Sequence, residues 1–164
     1  MPEPSDYWPE VAERLRLIGV DARLIGGLAA MLYRRTPRQT TDVDFLTRSL
    51  EGVAESFERE GYDVRSHRDE AGATYLLNVR GHGRRIDLML ADTDYQREAL
   101  DRSGPEAIAV EDVLIHKLIA WRPRDVSDVR EILATDPQLD EAYIARWVAA
   151  WDVADRWDEV RRTS

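Results

Sequence analysis

Two aspartates one residue apart, Asp42 and Asp44, close a stretch running from Leu24 to Thr47, LIGGLAAMLYRRTPRQTTDVDFLT. Ahead of them stand a Gly26-Gly27 pair and a loop rich in arginine. In a strand, residues i and i+2 point to the same side, so the two carboxylates would share a face. Two like charges held side by side repel unless a cation lies between them. A hard divalent ion, Mg2+ or Mn2+, suits an all-oxygen site of this kind. A glycine turn between a strand and a helix exposes backbone N–H groups, a geometry that holds phosphate. The plain alternatives are surface aspartates and an ordinary tight turn, and either pair alone does not beat them.

Two further residues change the balance. In the segment IDLML, Ile86, Leu88 and Leu90 share one strand face, which leaves Asp87 on the other with Met89. A carboxylate inside such an apolar strand is costly unless it is paired or liganded. Asp87 therefore joins Asp42 and Asp44 as a candidate metal ligand. Lys117 is the only lysine of the chain, and it falls within the apolar stripe of Val113, Leu114, Leu118 and Trp121. Either it snorkels to water from the edge of that stripe or it serves a site. Asp125 and Asp128 follow it, with helix capping the plain reading of both, and spacing does not choose between them. Arg34, Arg35, Arg38, Arg122 and Arg124 would supply a local basic rim.

The elements that must position these residues follow from periodicity and punctuation. Tyr7, Val11, Leu15 and Ile18 recur at helical spacing, with Pro9 suited to a first turn and Gly19 to a cap. Ala22 to Ile25 reads as a strand, and Gly26-Gly27 then opens a helix carrying Leu28, Met31 and Leu32. Val43 to Leu46 is a strand, Ser49 to Glu60 an amphipathic helix closed by Gly61, and Tyr62 to Ser66 a strand. Thr74 to Val79 and Arg84 to Leu90 form a hairpin around Gly81-His82-Gly83. Asp94 to Leu100 and Glu111 to Trp121 are helices, another begins near Asp125, and the tail from Asp140 is helical. Its Tyr143, Trp147 and Trp151 are four residues apart, most simply for packing. The reading is one α+β domain over 1–164, with its core at about 20–110 and a helical C-terminal layer at about 111–164.

Bulk properties fit that picture. At 164 residues the chain suits one domain with a real core, and 43% hydrophobic with 34% charged residues reads as globular. There is no cysteine, which excludes disulfides and thiolate metal sites. A net charge of −9 argues against broad, nonspecific nucleic-acid binding. No apolar run reaches the length of a membrane span and the N-terminus lacks a signal peptide's regions, so the expected location is cytoplasmic with no membrane partner.

Taken together, Gly26-Gly27, then Arg38-x-Thr40-x-Asp42-x-Asp44, then Asp87 in IDLML resembles the nucleotidyltransferase-fold superfamily. The segment AVEDVLIHKLIAWRPRDVSDV resembles the lysine and aspartate segment of small AbiEii-like proteins, the abortive-infection toxin type. The resemblance spans roughly Leu24 to Val129. It implies a nucleotidyltransferase-like mixed β-sheet flanked by helices. It also implies a metal-dependent enzyme moving a nucleoside monophosphate from a nucleoside triphosphate to an RNA or protein acceptor. Such an enzyme would be the toxin of a toxin–antitoxin pair, with an antitoxin protein as partner. On this resemblance Asp42, Asp44 and Asp87 would hold Mg2+ or Mn2+ and act in catalysis with Lys117. Gly26, Gly27, Arg38, Thr40 and Lys117 would bind the nucleotide, with Asp128 or Asp125 as the carboxylate that follows the lysine. The alternatives are an aminoglycoside-type, small-molecule nucleotidyltransferase and a non-catalytic binding module of the same fold. The chain departs from the pattern at Gly27, where many catalytic members carry serine, in a long gap from Gly27 to Asp42, and in being short for a full toxin.

Overall fold

The computed structural model describes residues 1–163. Its elements are α1 (Pro4–Leu17), β1 (Ala22–Ile25), α2 (Gly26–Met31), β2 (Val43–Thr47), α3 (Val53–Glu58), β3 (Asp63–Arg68), β4 (Thr74–Gly81) and β5 (Arg84–Leu90). The helical part follows as α4 (Asp94–Asp101), α5 (Val110–Ala120), α6 (Pro123–Leu133), α7 (Glu141–Ala150) and α8 (Ala154–Arg162). This is the expected α+β order. Among the described residues no helix is long and apolar enough to cross a membrane.

Several boundaries moved for local reasons. Pro4 starts α1 ahead of Tyr7, at a position whose N–H has no helical partner, and Pro9 lies inside the helix instead of in its first turn. α3 is shorter than the Ser49–Glu60 pattern because Gly52 adopts φ 72° at its N-cap, a left-handed break that glycine accommodates. α5 stops at Ala120, since Trp121 turns left-handed at φ 49°. The continuous tail divides into α7 and α8 where Asp152 takes φ 56°.

The sheet runs β1-β2-β5-β4-β3. β2 and β5 are parallel, and every other neighbouring pair is antiparallel. The hairpin between β4 and β5 turns on two residues, His82 and Gly83, both with positive φ, as a tight turn matching strand twist requires. Register then fixes both faces. Val43 and Phe45 of β2, Ile86 and Leu88 of β5, and Leu77 and Val79 of β4 share one face, none more than 2% exposed. Burying each such side chain stabilises by roughly 1.5–3 kcal/mol.

The opposite face is where the polar residues fall. Asp44 pairs across to Asp87, and Asp87 to Asn78, so these three form one row over β2, β5 and β4. The next row along pairs Arg85 with Arg80, and Leu46, Met89 and Leu76 make the row on the other side. α5 is buried on nearly all sides, including Val113, Leu114, Ile115, Leu118 and Lys117. The stripe expected for it is therefore a nearly enclosed helix, open only at residues such as His116, Ile119 and Ala120. Its C-terminal carbonyls are held from α8, where Arg156 donates to Leu118 O at 2.7 Å and Ile119 O at 3.0 Å.

Candidate active site

The glycine turn, the acidic row and the lysine helix meet at one cavity of about 460 Å3. Its walls include Gly26, Gly27, Arg38, Thr40, Asp42, Asp44, Asp87, Lys117 and Asp125. Residues separated by some ninety positions in sequence thus face a common space, of a size typical for small-molecule sites.

Gly26 is required twice over. It takes φ 67°, and a Cβ there would stand 2.3 Å from Asp44 Oδ2. The glycine turn and the Asp44 carboxylate are packed directly on each other. At Gly27 a Cβ would lie 2.8 Å from Thr40 Oγ1 and 3.1 Å from Arg38 Nη2. The space a serine at position 27 would use is occupied here by the Thr40 hydroxyl.

The three aspartates differ in their surroundings. Asp42 receives the Arg85 Nε at 2.6 Å, and the Arg85 backbone is itself clamped by Tyr7, whose hydroxyl donates to Arg85 O and accepts from Arg85 N, both at 3.2 Å. Asp87 accepts from Asn78 Nδ2 at 2.8 Å and pairs with Arg80 Nη2 at 2.7 Å. Arg80 is anchored by two carbonyls, Val79 O and Ile86 O, both at 2.9 Å. Asp44 has no arginine of its own. Burial first, and then the charges of Asp87 and Asp42, push its carboxyl up to about 6, against a smaller pull from Lys117 and Arg122.

Across the cavity stands a cationic wall. Lys117 Nζ sits 2.9 Å from both Asp125 Oδ1 and Asp128 Oδ2 and is only 4% exposed, so it does not snorkel. Asp128 is also gripped by Arg38 in a two-point contact, Nε at 2.9 Å and Nη2 at 3.0 Å, and by Arg34. Asp125 accepts from Arg122 Nε at 2.6 Å and from the Arg122 backbone N–H at 3.1 Å, which makes it the N-terminal cap partner of α6. Burial drives both carboxyls up, but the hydrogen bonds and charges of Arg122, Lys117 and Arg38 outweigh it and hold them below the usual carboxylate range. Four cations (Lys117, Arg34, Arg38, Arg122) face two carboxylates (Asp125, Asp128) on this wall. On the sheet side two arginines (Arg80, Arg85) face three aspartates. The cavity is thus polarised, positive on the helical side and negative on the sheet, an arrangement suited to a polyphosphate bound with a cation.

Sequence spacing left Asp125 and Asp128 undecided, and the structure brings both to Lys117. Capping accounts for Asp125 but not for Asp128, which lies inside α6 and organises Lys117, Arg34 and Arg38. Arg34 leaves the expected basic rim, since its side chain is 6% exposed and committed to Asp128. Arg38 lines the cavity from within its pair with Asp128. Among the described residues no three acidic or histidine side chains form a ready-made metal cluster, because Asp42 and Asp87 are turned onto their arginines. The donor set itself fits a hard cation: three carboxylates on one wall, one of them with its pKa raised by burial and then by the other two. The arginine partners Arg80 and Arg85 were missed from sequence. Placing the two-residue hairpin turn at His82-Gly83 would have revealed Arg80, since it sets Arg80 and Asn78 beside Asp87, whereas Arg85 reaches Asp42 only through the parallel pairing of β2 with β5.

No family model matches the chain, and no curated protein does. Solved structures do. The antibiotic-resistance factor ANT(2")-Ia in complex with adenylyl-2"-tobramycin matches with a TM-score of 0.60 at 14% identity, over 91% of this chain and 95% of the other. An antigenic nucleotidyltransferase-like protein from Paracoccidioides brasiliensis matches at 0.59 and 14% identity, over 97% and 92%. The lincosamide antibiotic adenylyltransferase LnuA, lincomycin-bound, matches at 0.55 and 15% identity, over 77% and 94%. The chain has the nucleotidyltransferase-like α+β fold.

Proposed function

We propose that this chain is a nucleotidyltransferase that moves a nucleoside monophosphate from a nucleoside triphosphate to a hydroxyl of an acceptor. The observation that carries the reading is the paired Asp44–Asp87 row on neighbouring parallel strands, packed against the Gly26 turn and facing the Lys117 wall. In the reaction the acceptor oxygen bonds to the α-phosphorus while the bond to the bridging oxygen of the β-phosphate breaks. Pyrophosphate leaves, and the hydroxyl proton passes to the carboxylate row. Backbone N–H groups of Gly26 and Gly27, with the Thr40 hydroxyl above them, hold phosphate oxygens. Lys117, Arg38 and Arg122 give that half of the cavity its positive potential, and positioning with charge neutralisation is most of what such chemistry needs. Mg2+ or Mn2+, when bound, would supply charge neutralisation and Lewis-acid activation, with Asp42, Asp44 and Asp87 as the residues to hold it.

For the acceptor we favour RNA or protein, with the chain acting as the toxin of a toxin–antitoxin pair. The lysine and aspartate segment from Ala109 to Val129 supports that reading through its resemblance to AbiEii-like proteins. A small-molecule acceptor is a second reading, supported by the neighbours solved with lincomycin and with adenylyl-2"-tobramycin. The test is incubation with each labelled nucleoside triphosphate, Mg2+ or Mn2+, and total RNA, a protein extract or aminoglycosides. Wild-type protein labels one acceptor class, and Asp44→Ala labels none while keeping its circular dichroism spectrum. Full labelling by Asp44→Ala would sink the reading.

A further inference from the structure

The carboxylates, the glycine turn and the arginines make only part of the cavity wall. Another part is built from Met89 of β5, Tyr95 of α4, His116, Ile119 and Ala120 of α5, and Trp151 at the end of α7. This stretch carries no carboxylate. The four that line the cavity are Asp42, Asp44, Asp87 and Asp125; three are paired with arginine or lysine, and Asp44 lies against the glycine turn. Gln96 also lines this region, with its amide oxygen occupied and one of its two amide N–H groups committed. Its Oε1 accepts from the backbone N–H groups of Asp92 and Thr93, each at 3.1 Å, and its Nε2 donates to Met89 Sδ at 3.3 Å.

The aromatic rings are arranged around a buried centre. Tyr95 is 2% exposed, and its ring meets His116 at 5.6 Å, Trp147 at 4.9 Å and Trp151 at 6.0 Å. Trp151 remains 39% exposed while lining the cavity, an indole braced on one side and open on the other. Burial, and then the charge of Lys117, push His116 down to about 4, so its imidazole is neutral at physiological pH. The wall thus offers flat aromatic surface with no net charge.

We infer that Trp151, braced by the buried Tyr95 and with His116 beside it, seats the base of the nucleoside triphosphate by stacking, in continuity with the phosphate half of the same cavity. The assignment rests on the nucleotidyl-transfer reading and deepens it. A polycationic ligand finds no free carboxylate here, whereas a heteroaromatic ring finds a stacking surface that accepts any base. Stacking by ring area makes the site favour the larger purines over pyrimidines.

Calorimetry with Mg2+ present tests this, using ATP, GTP, CTP and UTP beside inorganic tripolyphosphate, on wild type, Trp151→Ala and Trp151→Phe. Trp151→Ala is expected to bind ATP and GTP about 5- to 100-fold more weakly, with tripolyphosphate affinity unchanged and Trp151→Phe near wild type. Equal ATP affinity in Trp151→Ala and wild type overturns the assignment, and so does a parallel loss of tripolyphosphate. Wild-type protein that binds neither ATP nor tripolyphosphate overturns both this assignment and the nucleotidyl-transfer reading.

Discussion

Replacing Asp44 by asparagine should make the metal-free protein more stable while destroying its activity. The isosteric amide removes a charge that folding places beside Asp87 and Asp42 without a cation of its own. Burial and those two neighbours raise the carboxyl from 3.8 to about 6. A shift of that size corresponds to about 3 kcal/mol, an upper value because the cavity is open to water and the amide must find its own partners. We expect Asp44→Asn to gain about 1–3 kcal/mol at pH 7.5. The sign follows from proton uptake. Below about pH 4 Asp44 is protonated in both folded and unfolded wild type, and the two proteins differ little. From about pH 4 to 6 the unfolded chain has lost that proton and the folded one keeps it, so wild-type stability falls as pH rises, and above about pH 6 the gap is complete. Urea unfolding with EDTA at pH 4 and pH 7.5, followed by tryptophan fluorescence, measures it. An asparagine variant no more stable than wild type at pH 7.5, or a gap that persists at pH 4, would refute the reasoning.

Three further substitutions probe the frame of the site. Lys117→Ala removes one buried contact from each of Asp125 and Asp128 but leaves Arg122 on the first and Arg34 and Arg38 on the second, so it should cost about 1–3 kcal/mol in urea unfolding. Arg122→Ala, at a half-exposed partner of the same Asp125, should cost no more than about 1 kcal/mol. Gly26→Ala, with a Cβ driven into Asp44 Oδ2 and φ at 67°, should lose at least about 1 kcal/mol and weaken MgATP binding by calorimetry. Asp112, fully buried, has its carboxyl raised to about 6 by burial despite hydrogen bonds from Tyr143 and Tyr95 and the charge of Arg102. Removing that charge with Arg102→Ala should raise it further, read as a later midpoint in carbon-detected titration of the Asp112 carboxyl.

Much of this site was legible before folding was considered. The Asp-x-Asp strand, the lone Asp87 in an apolar strand and the lone Lys117 in an apolar helix each break a local rule, and all three line one cavity. The α+β order and β1, β2, β4 and β5 followed from period and turn residues to within two residues at any end. What stayed hidden depends on pairing across distance. Sheet order β1-β2-β5-β4-β3 puts a parallel pair at the centre, and no local signal states that. The arginine on Asp87 emerges from hairpin register and the one on Asp42 from the parallel pairing of β2 with β5. Arg34 looked like surface because loop arginines usually are, whereas Asp128 draws it inside. The aromatic wall gathers residues from three helices and one strand, so neither periodicity nor motif exposes it.

A cavity that transfers the α-phosphoryl group with its nucleoside reveals itself by the position of a label. Wild type and Asp44→Asn would be incubated with Mg2+, the acceptor panel and triphosphate labelled at either the α- or the γ-phosphorus. The account predicts acceptor labelling from the α-position only, release of γ-label as pyrophosphate, and neither with Asp44→Asn. Acceptor labelled from the γ-position, or transfer from the α-position that survives in Asp44→Asn, would contradict it.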